Sequence, residues 1–481
     1  MNSFQVAVIG AGVVGSLVAR ELTKYDLSVA LIEAREDVAT GASAANSAIV
    51  HGGFDPEPGT LKARLNVRGT ELMPALAKEL GVPYRNNGSL VLAFSEQEME
   101  TVRKLYERGL ANGVPRLSLL GKEELRELEP NVSDQAIGAL RVASAGIVCP
   151  YGLAIAAAGN AADNGAELFL SSPVESIRRE GKGFVIQAGN NRIGAEYIVN
   201  CAGIYADHVT NMIGDESFTL RPRKGEYLLF DPSEGQLVNH TLFQVPTDAG
   251  KGVLVTPTVH GNLLIGPTSV FTEDRNGKET TADGLASVRE AAGKSVKALN
   301  FRQVITSFAG LRAVPDSEGQ DFIIRFSDAN GHFLHCAGIE SPGLSASPAI
   351  AEYAVELLNG AGLELKSNAN FRGERRSYHW FKELSPAEKN EVIRKDSRYG
   401  KVVCRCETVT EGEIVEAIHR APRATTLDAL KRRLRSGMGR CQGGFCTPLL
   451  VEILARETGK APTEICKSAA GSVLLMEEMK K

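Results

Sequence analysis

Gly10, Gly12 and Gly15 stand in Gly-x-Gly-x-x-Gly spacing directly after the apolar run Phe4 to Ile9. In such a pattern the first glycine allows a tight turn, the second lets backbone approach a pyrophosphate, and the third lets a helix close onto the strand. Ser16 to Tyr25 then carries apolar residues at helical spacing (Leu17, Val18, Leu22). The N-terminus of that helix offers unpaired N–H groups and a positive dipole end to phosphate. A second apolar run, Ser28 to Ile32, ends at Glu33, eighteen residues beyond Gly15. A carboxylate there accepts hydrogen bonds from a ribose hydroxyl. Three glycines alone describe any glycine-rich turn. In the order strand, glycines, helix, strand, acid, they predict a dinucleotide site.

A second constellation lies near the other end. Cys404 and Cys406 form Cys-x-Cys, 34 residues follow, and Cys441 and Cys446 form Cys-x-x-x-x-Cys. Four thiolates hold either a tetrahedral zinc ion or a [2Fe–2S] cluster, and this spacing alone does not choose between them. A dinucleotide site in the same chain favours a redox centre, because electrons collected on a redox dinucleotide need an exit. Gly443 and Gly444 leave backbone N–H groups free to hydrogen-bond cluster sulfurs. Lys431, Arg432, Arg433, Arg435 and Arg440 crowd the same stretch; they form either a solvated helix face or a charge that offsets a cluster or docks a partner. The other four of the eight cysteines, Cys149, Cys201, Cys336 and Cys466, are isolated and read as small core residues.

These groups need scaffolding. At 481 residues the chain exceeds one hydrophobic core, so two or three domains are expected. Its 43% apolar and 23% charged content is ordinary for a globular protein, and a net charge of −4 gives no general attraction to nucleic acid. No apolar run reaches the length of a membrane span, and the first strand begins too early for a signal peptide. A cytoplasmic protein is expected, associating peripherally with a membrane only through a partner. Helices are predicted over Leu61–Leu80, Glu96–Asn112, Tyr151–Asn164, Ala282–Leu299 and Ala349–Leu358. Strands are predicted at Gly88–Phe94, Phe184–Ile186, Tyr197–Asn200, Phe322–Ile324 and Phe333–His335. The stretch Leu220–Ser269 reads as an antiparallel sheet. The strand ending at Asn200 runs into Ala202 and Gly203, a second place for backbone to meet a dinucleotide.

The whole chain resembles a known family. Its opening, Asn46 to Gly53, Asn200 to Gly203 and Gly338 to Leu344 are similar to the FAD-dependent glycerol-3-phosphate dehydrogenases, within the D-amino-acid-oxidase-like flavoproteins. Val403 to Glu407 and Gly439 to Cys446 resemble the bacterioferritin-associated-ferredoxin-like [2Fe–2S] domain. The resemblance implies an α/β FAD-binding Rossmann-like domain with an inserted antiparallel α+β substrate domain, plus a small C-terminal helical [2Fe–2S] domain. The expected division is 1–81, 147–215 and 305–365 for the discontinuous FAD-binding part, 82–146 and 216–304 for the substrate part, 366–400 for a linker, and 401–481 for the cluster domain. FAD is expected on Gly10, Gly12, Gly15 and Glu33, near Ala45, Asn46 and Ser47, at Ala202 and Gly203, and at Gly338, Gly343 and Leu344. The cluster is expected on Cys404, Cys406, Cys441 and Cys446. The chain departs from the family in one place: many membrane-associated members carry Leu-Arg-Tyr after His-Gly-Gly, where this one has Phe54-Asp55-Pro56.

Against that frame, His51 falls between flavin-contacting segments, where an imidazole can accept a hydroxyl proton as hydride leaves carbon. Arg312 resembles the family's substrate-side arginine, and a planar guanidinium binds phosphate or carboxylate by two parallel hydrogen bonds. Arg223 and Lys224 open a strand that can face the flavin and are further candidates for a small anionic substrate. The expected reaction is oxidation of sn-glycerol 3-phosphate, with electrons leaving through the cluster to an acceptor protein subunit. A 2-hydroxy acid or amino acid is the alternative substrate, and an electron-transfer or scaffold subunit the alternative role.

Overall fold

The computed structural model describes residues 2–181, 183–246, 252–316 and 321–477. Its organising strand is Asn2–Ile9, in which Val6, Ala7 and Val8 are fully buried. It pairs in parallel with Val29–Ile32 on one side and Asn191–Asn200 on the other. Glu167–Phe169 extends the sheet beyond Val29–Ile32, and Asn330–Ala337 adds beside the end of Asn191–Asn200, both in parallel. Ile323–Ser327 closes that edge antiparallel, and the hairpin of Val174–Glu180 and Gly183–Ala188 pairs with the first half of Asn191–Asn200. Strands covered on both faces bury every side chain and so read as continuous apolar runs. The helices Val13–Leu22, Pro150–Asp163 and Gly343–Gly360 supply one cover, with Leu61–Glu79 packed outside Gly343–Gly360.

The last of these helices starts six residues before its predicted Ala349. Pro348 reads as a helix breaker because it lacks the N–H that would bond to the carbonyl of Leu344. Here the Ser347 hydroxyl donates to that carbonyl at 2.8 Å, so the helix continues through the proline. The helix Ala282–Ser295 stops short of Leu299 because Val296 is already extended and buried, bridging to Val132.

Among the described residues the second sheet has nine strands, and it joins the segments on either side of residues 147–215. Leu220–Phe230 is its longest contact, pairing antiparallel with Val304–Pro315 over eleven residues of register. Leu254–Pro257 and Leu263–Gly266 continue it antiparallel, as expected. Thr241–Gln244, however, lies parallel to Ser89–Ala93, so the sheet is mixed. Alternation marks a strand but not the direction of its neighbour.

Residues 366–400 run along the body of the molecule. Asn368 N donates to Lys24 O at 2.8 Å, buried Arg375 pairs with Asp163 at 3.0 Å, and Tyr378 packs against two separate apolar cores. The second of those cores belongs to the C-terminal helices Glu411–His419, Leu427–Leu434 and Thr447–Thr458, which bury Ile414, Leu430, Leu434, Leu450 and Leu454. Among the described residues no helix is long and apolar enough to cross a membrane.

Candidate active site

A cavity of about 1490 Å³ opens at the carboxyl ends of the parallel strands, where ligands of such sheets bind. Gly10 has φ +101°, a conformation that L side chains rarely adopt, and a Cβ there would collide with the Cys201 carbonyl. Gly15 is not in the wall. It lies behind it, where a Cβ would collide with the Gly10 carbonyl, so its role is to bring helix Val13–Leu22 down onto the turn. Gly12 lines the cavity at the helix start, and the Val13 N–H donates to the Ser43 hydroxyl at 2.9 Å. Glu33 accepts from the backbone N–H groups of Ala11 at 2.8 Å and Arg35 at 3.0 Å, while burial pushes its carboxyl pKa up. Ala202 and Gly203 complete this end of the wall.

The loop carrying Ala45, Asn46 and Ser47 forms the next part. Asn46 is spent on the loop itself: its amide donates to the carbonyls of Ala42 and Ser43 and its oxygen accepts from Ala48 N at 2.8 Å. Gly310 lets this loop approach the strand that carries Arg312, since a Cβ there would collide with the Ala45 carbonyl. Ser47 and Tyr227 share a hydrogen bond of 3.2 Å, and Tyr227 stacks on Phe308 at 4.8 Å. Gly343 and Leu344 line the far side at the start of their helix, whereas Gly338 lies outside the wall, with φ +62°.

His51 faces the cavity beside Phe243, with ring centroids 5.5 Å apart. Its backbone N–H donates to the Ser345 hydroxyl at 2.7 Å and its backbone carbonyl accepts from Thr70. Arg312 also lines the cavity, with Nη2 donating to the Thr268 carbonyl at 2.8 Å. Arg223 lies opposite Arg312 in register, but its guanidinium is bound to Glu340 at 2.5 Å, and Glu340 also holds Lys62 at 3.0 Å. Lys224 is not in the wall; it pairs with Glu279 at 2.8 Å. The structure thus brings His51 and Arg312 into one cavity with the glycine turn, ties Arg223 to a carboxylate, and leaves Lys224 outside. Ser43, Tyr227, Gly310 and Glu340 were missed as contributors from sequence. Of these, Ser43 carried a local signal, in a run of small residues that suits close backbone, and Tyr227 lies on the strand opened by Arg223 and Lys224.

The C-terminal cysteines line a separate cavity of about 310 Å³ with Arg405, Arg440 and Phe445. They do not converge on one point among the described residues; they stand as two pairs. Cys406 and Cys441 are 3.6 Å apart, and the thiols of Cys404 and Cys446 hydrogen-bond each other. Two pairs of thiols suit two metal positions, as in a [2Fe–2S] cluster. Backbone N–H groups aim at the sulfurs. The Cys446 thiol, with N–H groups of Gly437 and Glu407, brings Cys404 down to about 6, and N–H groups of Phe445 and Gly443 lower Cys441.

Two family models match the chain: FAD dependent oxidoreductase over residues 5–357, and BFD-like [2Fe-2S] binding domain over residues 402–456. This chain belongs to the FAD-dependent oxidoreductases. The flavoenzyme fold and the [2Fe–2S] tail carry both cofactors: the glycine turn, Ser43 and Glu33 fit the dinucleotide of FAD, and the paired cysteines fit the cluster. The oxidoreductase is 50% identical, over 98% of both chains, to a glycerol 3-phosphate dehydrogenase of Caloramator mitchellensis. It is 33% identical to a glycerol 3-phosphate oxidase of Mycoplasma pneumoniae, over 78% of this chain and 98% of that one. The solved structure of the dithionite-reduced L-alpha-glycerophosphate oxidase of Mycoplasma pneumoniae with FAD bound covers 78% of this chain and 99% of its own, at TM-score 0.74 and 32% identity.

One expectation about the oxidoreductase is corrected by its geometry. Most of the basic run near the cysteines is neither a solvated face nor a free cationic patch. Arg432 and Arg433 pair with Asp37 at 2.6 and 2.7 Å, and Arg435 pairs with Glu407 at 2.8 Å while its Nη2 donates to Asn262 at 3.1 Å. Through Asp37, Arg432 and Arg433 fasten the cluster unit to the flavin unit, while Arg435 pairs within the cluster unit and reaches the substrate part through Asn262.

Proposed function

We propose that this oxidoreductase converts sn-glycerol 3-phosphate to dihydroxyacetone phosphate, with electrons leaving through the C-terminal cluster to an acceptor protein. One observation carries the reading. Arg223 and Arg275 in the cavity wall are bound by Glu340 and Asp207, whereas Arg312 is held by a carbonyl, which fixes its guanidinium without cancelling its charge. The relatives named glycerol 3-phosphate dehydrogenase and oxidase support the choice of anion.

Bound FAD supplies a hydride acceptor and the cluster a one-electron exit. The chain's own residues do the remaining work. Arg312 clamps the phosphate by charge-assisted hydrogen bonds. His51, its backbone fixed on both sides by Ser345 and Thr70, takes the hydroxyl proton as the carbon is oxidised. Tyr227 and Ser47 form part of the same wall.

The test is an anaerobic titration of the reconstituted protein with glycerol 3-phosphate, following flavin absorbance and the paramagnetic signal of the reduced cluster. Bleaching followed by the cluster signal supports the reading. Flavin that stays oxidised with glycerol 3-phosphate but bleaches with L-2-hydroxyglutarate or an amino acid overturns the substrate. Centres that respond only to dithionite would assign an electron-transfer role instead.

A further inference from the structure

The cluster cavity has a solvent face of its own. Cys406 is exposed there. Phe445 lines the same opening and is 80% exposed. Leu449, four residues on, is also exposed, at 37%. Arg405 and Arg440 line the same opening and are exposed to solvent. Unlike Arg432, Arg433 and Arg435, which are buried or half-buried against carboxylates, these two form no ion pair among the described residues. On a chain of net charge −4 they make a local positive rim around an outward aromatic residue. Arginine and phenylalanine are enriched where proteins dock, and a rim of one sign steers a partner of the other.

We infer that this face docks a small acidic one-electron carrier protein, whose carboxylates meet Arg405 and Arg440 and whose apolar spot receives Phe445. The inference rests on the reading that electrons leave through the cysteines. Each encounter oxidises the reduced iron pair by one electron and reduces the carrier's centre by one; no bond forms between the two proteins, and any proton the carrier's centre takes up comes from solvent. Oxidation of one alcohol therefore takes two encounters.

The test uses the full-length holoprotein, oxidised for binding and dithionite-reduced then desalted for transfer. The probes are flavodoxin, which is acidic, and cytochrome c, which is basic. Calorimetry with oxidised flavodoxin should show affinity that falls as salt rises. The double variant Arg405→Glu/Arg440→Glu should bind it at least about tenfold more weakly, and Phe445→Ala should weaken it with an unchanged salt dependence. In stopped flow the double variant should slow transfer to flavodoxin and speed transfer to cytochrome c. Flavodoxin binding indifferent to salt and charge reversal overturns the inference. So does a shifted cluster potential in the double variant with flavodoxin binding intact, because the arginines would then only offset cluster charge. Dithionite supplies the electrons, so a wrong substrate leaves this result standing.

Discussion

The Thr268 carbonyl takes one of the donors of Arg312, which forms no ion pair among the described residues, so the remaining edge of the guanidinium is shaped for an oxyanion. Lysine at this place keeps the charge but loses the planar fork. Arg312→Lys should raise KM for glycerol 3-phosphate roughly 10- to 100-fold, the loss of about 1.5–3 kcal/mol expected for a charged hydrogen bond. His51→Gln should do the opposite in kind, leaving KM near its starting value and slowing flavin bleaching by about 10²-fold or more. Stopped-flow bleaching across substrate concentrations separates the two effects; a variant of Arg312 that lowers only the rate would remove it from substrate binding. The types of both residues were legible from motif context. What holds them was not. Glu340 lies 117 residues from Arg223 and 278 from Lys62, and no local pattern announces a carboxylate that neutralises one candidate and leaves another free.

At the scale of elements, the unit of strand Asn2–Ile9, turn and helix Val13–Leu22 was readable because each step is local: apolar residues for a doubly covered strand, glycines for the turn, helical spacing after it. The same locality makes it fragile. A methyl group at Gly15 meets a backbone oxygen that cannot swing aside, so Gly15→Ala should push the helix off the turn and cost about 1–3 kcal/mol. The expected result is a protein that loses flavin on desalting, read as the ratio of flavin to protein absorbance. Gly331→Ala, at a glycine with open space around it, should retain its flavin. Elements whose identity depends on distant partners were harder to read. The parallel seating of Thr241–Gln244 beside Ser89–Ala93 follows from a pairing across more than a hundred residues. The early start of helix Gly343–Gly360 depends on one serine hydroxyl capping a carbonyl that proline cannot.

One joint of the whole molecule is Asp37, just past the second strand, which receives Arg432 and Arg433 from the far end of the chain. Burial opposes the charge on Asp37, but the two guanidiniums outweigh it and hold the carboxyl below its ordinary value of 3.8. A depressed folded pKa contributes stability above the ordinary value and loses it as pH falls through the folded one. The cluster unit should therefore come loose in acid, below the usual carboxylate range and not near neutrality. Asp37→Asn should cost about 3–5 kcal/mol at neutral pH by leaving buried Arg433 uncompensated. Its melting temperature should also fall less than the native one between pH 5 and 3; equal slopes would remove Asp37 from the joint. The discontinuity of the flavin unit has a further consequence, for the order in which the molecule is made. Asn330–Ala337 and Gly343–Gly360 flank the first-made parts of the sheet and cavity yet are translated last among them. A nascent chain released only as far as position 329 has the glycine turn but lacks Gly343, Leu344 and the strand beside Asn200. The cysteines emerge later still, so on the ribosome the flavin cavity can close before the first sulfur ligand exists, and cluster insertion comes to a body already shaped to receive it.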